Sequence, residues 1–305
     1  MDWLRAPASV EARALADLGW VLVAGAATVF VLVMALLALG LRARRRAVPT
    51  AWWVLGGGIA FPVVVLSALL GHAVMRTAVL SAAPAGAPLV VGITGHLWWW
   101  EVRYHDAASG RWIALANELH LPAGRPVQLG LASADVIHSF WVPTLGGKMD
   151  LVPGRVNRLV ITPQREGVHR GVCAEFCGTQ HGRMALHIVV QSPADFERWL
   201  AAQAAPAAAA GDALLQRGRA AFLAHGCAGC HAVRGVAEGG ALGPDLTHVG
   251  SRLHVGAGTV PTGRDALARW IADPHVLKPG ARMPAFGHLD PATLDALAAY
   301  LAHLR

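Results

Sequence analysis

The chain has 305 residues, of which 54% are hydrophobic and only 15% are charged, and its mean hydropathy is +0.43. Because soluble domains carry about 25% charged residues, this composition argues against a fully soluble protein, and it excludes disorder for most of the chain. The net charge of +7 would suit a nucleic-acid partner. Residues 1–83 hold four of those seven units, however, residues 84–210 hold one and residues 211–305 hold two. No region is basic enough to predict binding to nucleic acid.

Two apolar runs near the N-terminus are long enough to span a membrane. Residues 18–41 include no charged side chain, and residues 51–75 include only His72 as a group that can become charged. A bilayer core needs about 20 helical residues, so we predict a transmembrane helical hairpin within residues 1–83. A signal peptide has a shorter apolar run after a basic start, whereas this run follows a tail with acidic residues at Asp2, Glu11 and Asp17. A short leader removed upstream remains open.

A run of arginines between the two apolar stretches predicts the orientation of the hairpin; it comprises Arg42, Arg44, Arg45 and Arg46. Basic loops stay on the cytoplasmic side, so the N-terminus and everything after residue 75 are predicted to lie on the outer, periplasmic side of a bacterial inner membrane. Residues 42–100 contain no Asp or Glu, so we interpret the hairpin as an anchor without a proton relay. Pro62 interrupts the second run and predicts that this helix packs against protein, where the freed carbonyl is satisfied.

After the hairpin, composition divides the chain into a β domain, a linker and a helical domain. A Pro/Ala/Gly connector covers residues 81–88. Five short apolar runs separated by turn residues then predict an antiparallel sandwich or barrel that ends near residue 190; they read LVVGITG, HLWWWEVRYH, PVQLGLAS, VNRLVIT and ALHIVV. A short helix over residues 196–203 closes this unit, which we assign to residues 84–203. Residues 204–211 are interpreted as a flexible tether, and residues 212–305 as a small domain with a helix at each end.

Cys227, Cys230 and His231 form a C-x-x-C-H motif, the pattern of covalent c-type haem attachment. A thioredoxin-like pair needs no adjacent histidine and sits in a βαβ context, which is missing here, and a zinc site would need further cysteines, but none follows. Methionine is the soft sixth ligand of a high-potential haem, and Met283 is the one methionine after His231. The rival axial ligands are His248, His254, His275 and His288.

A second group of soft ligands occupies one short segment and comprises Cys173, Cys177, His181 and Met184. Sulfur together with imidazole suits copper. Two cysteines on one loop can bridge two metal ions, and a second histidine must then come from elsewhere. His138, which follows an apolar strand, is the best candidate. A Cys173–Cys177 disulfide with an unrelated histidine is the alternative, and the spacing alone leaves it open.

At these motifs the sequence closely resembles subunit II of haem–copper cytochrome c oxidases. The resemblance covers about residues 15–200 and rests on GHLWWWEVRY, DVIHSFWVPTLGGKMDLVPGR and CAEFCGTQHGRM, in that order after two apolar runs. The residues after the linker resemble the cytochrome c domain fused to this subunit in caa-type bacterial oxidases. The implied fold class is a multidomain membrane protein with a two-helix hairpin, a cupredoxin-like all-β Greek-key barrel and an all-α class I cytochrome c domain.

The resemblance implies that the β domain holds the dinuclear copper A centre. Cys173 and Cys177 would bridge the two copper ions, and His138 and His181 would be the terminal imidazole ligands. Met184 would be the weak ligand of one copper ion.

It also implies roles for three further positions. The carbonyl of Glu175 would be the weak ligand of the other copper ion, and its carboxylate would help to bind a Mg²⁺ or Mn²⁺ ion shared with subunit I. Trp98 matches the tryptophan through which electrons reach copper A. We interpret two of the three residues in the run Trp98, Trp99 and Trp100 as packing residues.

Two departures from the family pattern affect the expected function. Some members carry a glutamate before the second helix that feeds a proton channel, whereas residues 48–52 read VPTAW, which argues against a proton-uptake role. Members that use a soluble cytochrome c display an acidic docking patch, of which Asp135 remains. A tethered donor needs less electrostatic steering, because linkage supplies about millimolar effective concentration.

We therefore expect an electron-transfer subunit of a cytochrome c oxidase. It would accept electrons from cytochrome c, or from a membrane quinol–cytochrome c reductase, through its own haem c. Copper A would pass them to subunit I, where O₂ is reduced to water with proton pumping; subunit III and membrane lipid are the other expected partners. His72 is the only histidine in either apolar run, so O₂ reduction must occur on another chain. Two alternatives stay open: the copper A subunit of a nitric oxide reductase, and a membrane-anchored electron carrier without a fixed catalytic partner.

Overall fold

The structure, a computed structural model, describes residues 2–42, 49–78, 88–105 and 110–305. Most of the basic run (Arg44, Arg45 and Arg46) and nearly all of the predicted connector lie outside the described residues. Within them, the order of a helical pair, a β domain and a helical domain agrees with the sequence-based expectation.

Both apolar runs are helical. After a short helix α1 (Asp2–Arg5), α2 covers Val10–Arg42, and the second run consists of a π-helical segment (Trp52–Ala60) followed by α3 (Phe61–Ala78). Both are long and apolar enough to cross a membrane, and the apolar part of each is exposed. The helix continues through Pro62, next to which the winding changes from π to α. Whether this helix packs against another protein stays a prediction.

Helix α2 begins eight residues before the predicted span because its first turn packs against the β domain. The hydroxyl of Ser9 donates a hydrogen bond to the carbonyl oxygen of Leu145 at 2.7 Å. The carboxylate of Glu11 accepts hydrogen bonds from the amide and the hydroxyl of Thr162, at 2.8 and 3.0 Å. These contacts place the N-terminal end of the first span on the same side as the β domain.

The described residues between 88 and 191 form two five-stranded sheets. The strand orders are β3-β2-β1-β5-β8 and β4-β10-β9-β6-β7, with parallel β1–β5 and β4–β10 pairs among antiparallel neighbours. The fold is cupredoxin-like. The strands are β1 (Leu89–His96), β2 (Trp99–His105), β3 (Trp112–Ala116), β4 (Glu118–Pro122), β5 (Val127–Ser133), β6 (His138–Trp141), β7 (Met149–Leu151), β8 (Asn157–Ile161), β9 (Gly167–Cys173) and β10 (Ala185–Gln191).

Five of these strands, β1, β2, β5, β8 and β10, coincide with the predicted runs, whereas the other five were not predicted. Strand β4 shows why. All five of its residues are buried, although two of them are Glu118 and His120. Their side chains bond to each other, with 2.9 Å between the glutamate Oε1 and the imidazole Nε2. Polar residues whose hydrogen bonds are satisfied inside a core interrupt the alternation of polar and apolar residues on which strand prediction depends.

Helix α4 (Pro193–Ala204) closes the sandwich, as predicted for residues 196–203. The Ser192 hydroxyl caps it by accepting a hydrogen bond from the amide of Asp195, a typical N-cap interaction. Phe196 is fully buried against the sheets. The indole of Trp199 stacks on the imidazole of His120, with ring centroids 3.8 Å apart.

The predicted flexible tether is instead held against the last domain. The amide of Ala207 donates to the carbonyl oxygen of Arg234 at 2.9 Å, and the guanidinium of Arg234 donates to the carbonyl oxygen of Gln203 at 2.8 Å. The imidazole Nε2 of His248 lies 3.1 Å from the carbonyl oxygen of Ala205. These contacts could not be predicted, because residues distant in the chain make them to main-chain carbonyls.

The C-terminal domain is helical. It contains α5 (Ala213–Ala224), α6 (Arg264–Ala272), α7 (Pro274–Leu277), α8 (Pro291–His303) and a small ribbon of β11 (His254–Val255) and β12 (Val260–Pro261). The predicted first and last helices are confirmed. They cross closely at Gly218, where a Cβ atom would lie 2.1 Å from the carbonyl oxygen of Ala296, so any side chain there would force the helices apart.

Candidate functional site

Three buried side chains from separate elements of the β domain meet at one end of the sandwich. His138 begins β6, Cys173 ends β9 and Cys177 follows in the next loop. One ligand atom from each residue lies within 4.8 Å of the other two, an arrangement that could hold a metal ion. The structure thus joins His138 to the cysteine loop, as predicted from the sequence.

The same loop brings three further donors to the two sulfur atoms. The Sγ of Cys177 lies 3.6 Å from the Nδ1 of His181 and 3.8 Å from the Sδ of Met184. The Sγ of Cys173 lies 3.2 Å from the carbonyl oxygen of Glu175. Each of the four other predicted copper-ligand groups therefore lies within 3.9 Å of one of the two sulfur atoms.

The distance between the two sulfur atoms distinguishes between the two interpretations of the cysteine pair. It is 3.7 Å, whereas a disulfide bond is about 2.05 Å long. Metal–thiolate bonds are about 2.3 Å long, so two sulfurs bound to the same ions can be at most about 4.6 Å apart. Both cysteines are free thiols in the structure, and the donor set fits a soft metal centre.

The electrostatics of the cluster favour a thiolate. The hydrogen bond with Cys177 is the main cause that lowers the pKa of Cys173, against the opposing effect of burial, and His138 acts in the same direction. Burial alone would lower the pKa of His138, but hydrogen bonds with Cys173 and Asp135 raise it. The hydrogen bond with Cys173, followed by burial, raises the pKa of Cys177. The pair therefore stabilises one negative charge on sulfur, and a bound metal cation requires its thiol ligands to be deprotonated.

Asp135 contacts the candidate ligand His138, a contact that sequence reasoning missed because it interpreted Asp135 only as a remnant of an acidic patch. Its Oδ1 accepts a hydrogen bond from the Nε2 of His138 at 2.8 Å, and its Oδ2 accepts one from the amide of Leu97 at 2.8 Å. Because Nε2 carries the proton, the lone pair of Nδ1 points toward the sulfur cluster, 3.9 Å from the Sγ of Cys173. A carboxylate three residues before a candidate ligand was the available signal.

The side chain of Glu175 points away from the sulfur cluster. It is 45% exposed, and its Oε2 lies 3.6 Å from the Nζ of Lys148. Beside it, Phe176 is 75% exposed. The predicted Mg²⁺ or Mn²⁺ role of this carboxylate stays a prediction.

A largely apolar cavity of about 380 Å³ lies on the helical domain, and its walls contain all four predicted haem-binding residues. They are Cys227, Cys230, His231 and Met283. Helices α5, α6 and α8 contribute apolar side chains to the same wall. An apolar cleft of this kind with two free thiols at its edge fits a c-type haem.

The imidazole of His231 is held in the orientation that an axial ligand needs. Its Nδ1–H donates to the carbonyl oxygen of Pro244 at 2.7 Å, which leaves the lone pair on Nε2 available to a metal. Burial lowers the pKa of His231 and favours the neutral form. Gly243 lies against the ring so closely that a Cβ atom there would be 2.5 Å from its Cε1.

Most of the rival axial ligands lie elsewhere. His248 is buried and bonded to the carbonyl oxygen of Ala205, and His275 and His288 are not among the residues described in the cavity wall. His254 reaches the wall, but its ring stacks on that of His187. The arrangement favours Met283, whose role as a ligand stays a prediction.

The three consecutive tryptophans have different environments. Trp100 is fully buried in the β-domain core, and Trp99 stacks on His96 with ring centroids 4.3 Å apart. Trp98 borders the apolar cavity, and its Nε1 donates to the carbonyl oxygen of Cys177 at 2.8 Å. The indole of Trp98 therefore contacts both the loop that carries the sulfur cluster and the cavity, so the two candidate sites are neighbours.

Comparisons with known proteins agree with the division of the chain into a β domain and a C-terminal helical domain. Residues 107–192 match the family described as cytochrome c oxidase subunit II, periplasmic domain, and residues 215–305 match the cytochrome c family. A solved structure, the periplasmic domain of subunit II of cytochrome oxidase (CoxB) of Bradyrhizobium japonicum, is 28% identical and covers 39% of this chain and 96% of its own, with a TM-score of 0.36.

Curated relatives match over about 70% of the chain. Cytochrome c oxidase subunit 2 of Alkalihalophilus pseudofirmus is 36% identical over 215 residues, which are 70% of this chain and 61% of that protein. The protein of the same name from Bacillus sp. strain PS3 is 32% identical over 228 residues, which are 71% of this chain and 62% of that protein. The chain thus spans about three fifths of the length of these relatives.

The fold and the two sites define a class of protein with two helices able to anchor it in a membrane, a cupredoxin-like domain and a c-type cytochrome domain. More particularly, the chain joins a region that matches the family of cytochrome c oxidase subunit II periplasmic domains to a C-terminal region that matches the cytochrome c family. Domains of these two families hold copper A and haem c in general.

Proposed function

We propose that this protein is subunit II of a caa-type cytochrome c oxidase and transfers electrons to the catalytic subunit. The observation that carries the proposal is the position of Trp98, which borders the cavity and donates a hydrogen bond to Cys177. When bound, haem c and a dinuclear copper centre supply one-electron carriers on either side of this indole. The donor is cytochrome c or a membrane quinol–cytochrome c reductase, and the acceptor is subunit I, which reduces O₂ to water with proton pumping.

In the β domain, Cys173 and Cys177 would be the thiolate ligands shared by the dinuclear copper centre, and His138 and His181 would be its imidazole ligands. The Sδ of Met184 and the carbonyl oxygen of Glu175 complete the set. Support comes from the short separations among these donors and from the burial of four of the six residues, His138, Cys173, Cys177 and Met184. Such a buried cluster excludes water and keeps the ligands nearly fixed, which suits fast electron transfer.

In the helical domain, Cys227 and Cys230 would hold the haem covalently, and His231 and Met283 would be the two protein ligands of its iron. The hydrogen bond from His231 to Pro244 fixes the imidazole. A His/Met pair raises the reduction potential of a haem, as an electron donor to copper requires.

The remaining parts of the proposal concern the membrane and the partners. The two apolar helices lie in membrane lipid, and both outer domains face the periplasm. Support comes from the hydrogen bonds of Ser9 and Glu11, which hold the start of the first apolar helix against the β domain. The exposed Glu175 and Phe176 face subunit I, and Glu175 helps to bind Mg²⁺ or Mn²⁺ there. Subunit III belongs to the same complex.

The test is purification of the full chain with its membrane complex, followed by analysis of copper, haem and gas consumption. We expect a mixed-valence copper signal by electron paramagnetic resonance, one covalent haem and O₂ consumption with reduced cytochrome c. Cys177→Ser should remove the copper signal and leave the haem, whereas Cys230→Ala should impair the haem and leave the copper signal. NO consumption with a nonhaem-iron partner would identify a nitric oxide reductase, and a chain that elutes alone without O₂ or NO consumption would identify an electron carrier.

A further inference from the structure

Lys278 is an unusual residue in this chain because almost every other cation is an arginine. The chain contains 24 arginines and only two lysines, Lys148 and Lys278. Lys278 is 3% exposed. Its ammonium donates hydrogen bonds to the carbonyl oxygens of Trp98 at 2.6 Å, Arg183 at 2.8 Å and Gly256 at 3.1 Å. The first two carbonyls belong to the β domain, and the third belongs to the helical domain.

This arrangement uses every donor of the ammonium group. A buried charge is unfavourable unless it is fully hydrogen-bonded, and three carbonyl dipoles meet that requirement. Burial still lowers the pKa of Lys278, to about 7. Holding this charge in the interior costs desolvation free energy, which the three hydrogen bonds offset.

The position of Lys278 connects the two candidate sites. It begins the loop that leads to Met283, and Gly280 in this loop lies beside the indole of Trp98, where a Cβ atom would be 3.7 Å from the ring. Arg183, whose carbonyl accepts from the ammonium, immediately precedes Met184. A single side chain thus ties the methionine loop of one domain to the main chain beside the metal cluster of the other.

We propose that Lys278 is a positioning residue that holds the Met283 loop against Trp98 and so sets the gap across which electrons pass between the two domains; this rests on the proposed function. In that step one electron leaves the reduced haem site and one reaches the oxidised copper site, with no bond formed or broken and no proton moved. An arginine cannot replace it, because a planar guanidinium cannot direct three N–H groups at three convergent carbonyls as an ammonium does.

Other contacts hold the two domains together around this point. The guanidinium of Arg183 donates to the carbonyl oxygen of Leu277, and the amide of Ala185 donates to the carbonyl oxygen of Ala257 at 3.0 Å. Farther away, the amide of Leu253 donates to the carboxylate of Glu118 at 2.8 Å. With these contacts in place, loss of the ammonium should loosen the methionine loop without separating the domains.

The first test uses the unmodified full chain in detergent, separated from its partner subunits, and needs no variant. A small amine-reactive reagent is added, and mass spectrometry measures the labelling rate of each lysine. The side chain of Lys148 is 49% exposed and serves as the internal reference. We expect Lys278 to react slower by at least about tenfold, because the domain contact must open first. Equal rates would overturn the proposal, and this readout is independent of bound copper or haem.

The second test measures the rate of electron transfer between the two sites after photoreduction of the full complex. Lys278→Met and Lys278→Arg should each slow this step by about tenfold or more, with haem and copper spectra unchanged. Arg217→Met removes one exposed charge from the same domain and should leave the rate unchanged. An unaltered rate in Lys278→Met with intact spectra contradicts the proposal, as does full rescue by arginine. If a variant loses its haem, the labelling experiment on the unmodified chain still tests whether Lys278 is held in the contact between the two domains.

Discussion

The indole Nε1 of Trp98 donates a hydrogen bond to the carbonyl oxygen of Cys177 at 2.8 Å, although 79 residues separate the two in the chain. Gly178 makes this approach possible, because a Cβ atom there would lie 3.2 Å from the indole and its φ of +107° suits glycine. The bond fixes an aromatic ring that borders the haem-type cavity directly on the loop of the copper-type cluster.

Trp98→Phe keeps an aromatic ring but removes this hydrogen bond. We expect electron transfer from the haem site to the copper site to slow by about tenfold, equivalent to about 1.4 kcal/mol in the activation free energy. Photoreduction of the full complex measures the rate, and metal and haem contents should not change. Trp99→Phe is the matched control, since that residue stacks on His96 in the same cavity wall. Equal slowing by both variants would show that the hydrogen bond is irrelevant.

Asp135→Asn tests the carboxylate behind His138. The asparagine retains the size of the side chain but loses the charge that orients and polarises the imidazole, so we expect copper affinity to fall by about 10- to 100-fold. Titration against a competing copper chelator measures it. Asp150→Asn, which removes an exposed carboxylate beside Lys148, should leave the affinity unchanged. A wild-type affinity in Asp135→Asn would exclude the assigned role.

Met283→Leu tests the sixth ligand of the haem. Because Cys227 and Cys230 hold the porphyrin covalently, the haem should remain attached. The methionine-to-iron charge-transfer band should disappear and the reduction potential should fall, since methionine ligation raises it. Optical spectra and redox titration report both changes. Met149→Leu, in the β domain, should alter neither, and a band that survives in Met283→Leu would rule out this ligand.

The imidazoles of His187 and His254 stack across the domain boundary, with centroids 4.2 Å apart. Burial, followed by the effects of His254 and Arg170, lowers the pKa of His187, and Glu118 opposes this. The folded state therefore binds this proton more weakly than the unfolded state. The resulting stability is complete above the unfolded pKa of about 6.5 and declines as the pH falls through that value toward the lower pKa of the folded state.

We expect the thermal unfolding temperature of the full chain in detergent to fall between about pH 7.5 and about pH 5.5. His187→Gln should flatten this dependence, because glutamine cannot become charged. His275→Gln, which changes an exposed imidazole, should retain the wild-type pH profile. An equally steep profile in His187→Gln would assign the effect to other groups.

The motifs and strands that could be predicted depend on the spacing of residues within short segments of the chain. The C-x-x-C-H motif and the segment from Cys173 to Met184 are contiguous, so their chemistry can be recognised before any fold is known. Strands with clear alternation, such as β1 and β5, were predicted for the same reason. Strands β4 and β6 were missed because buried polar residues, including Glu118 and His138, interrupt the apolar pattern.

By itself, the sequence determined the two apolar helices, the order of the domains and the identities of the metal-type and haem-type motifs, because each depends on residues close together in the chain. Only the tertiary structure decided how the domains meet. The carbonyls that bind Lys278 and the carboxylate that orients His138 belong to no motif, since main-chain acceptors are present at every residue. Long-range packing alone brings Trp98, Cys177 and the Met283 loop together.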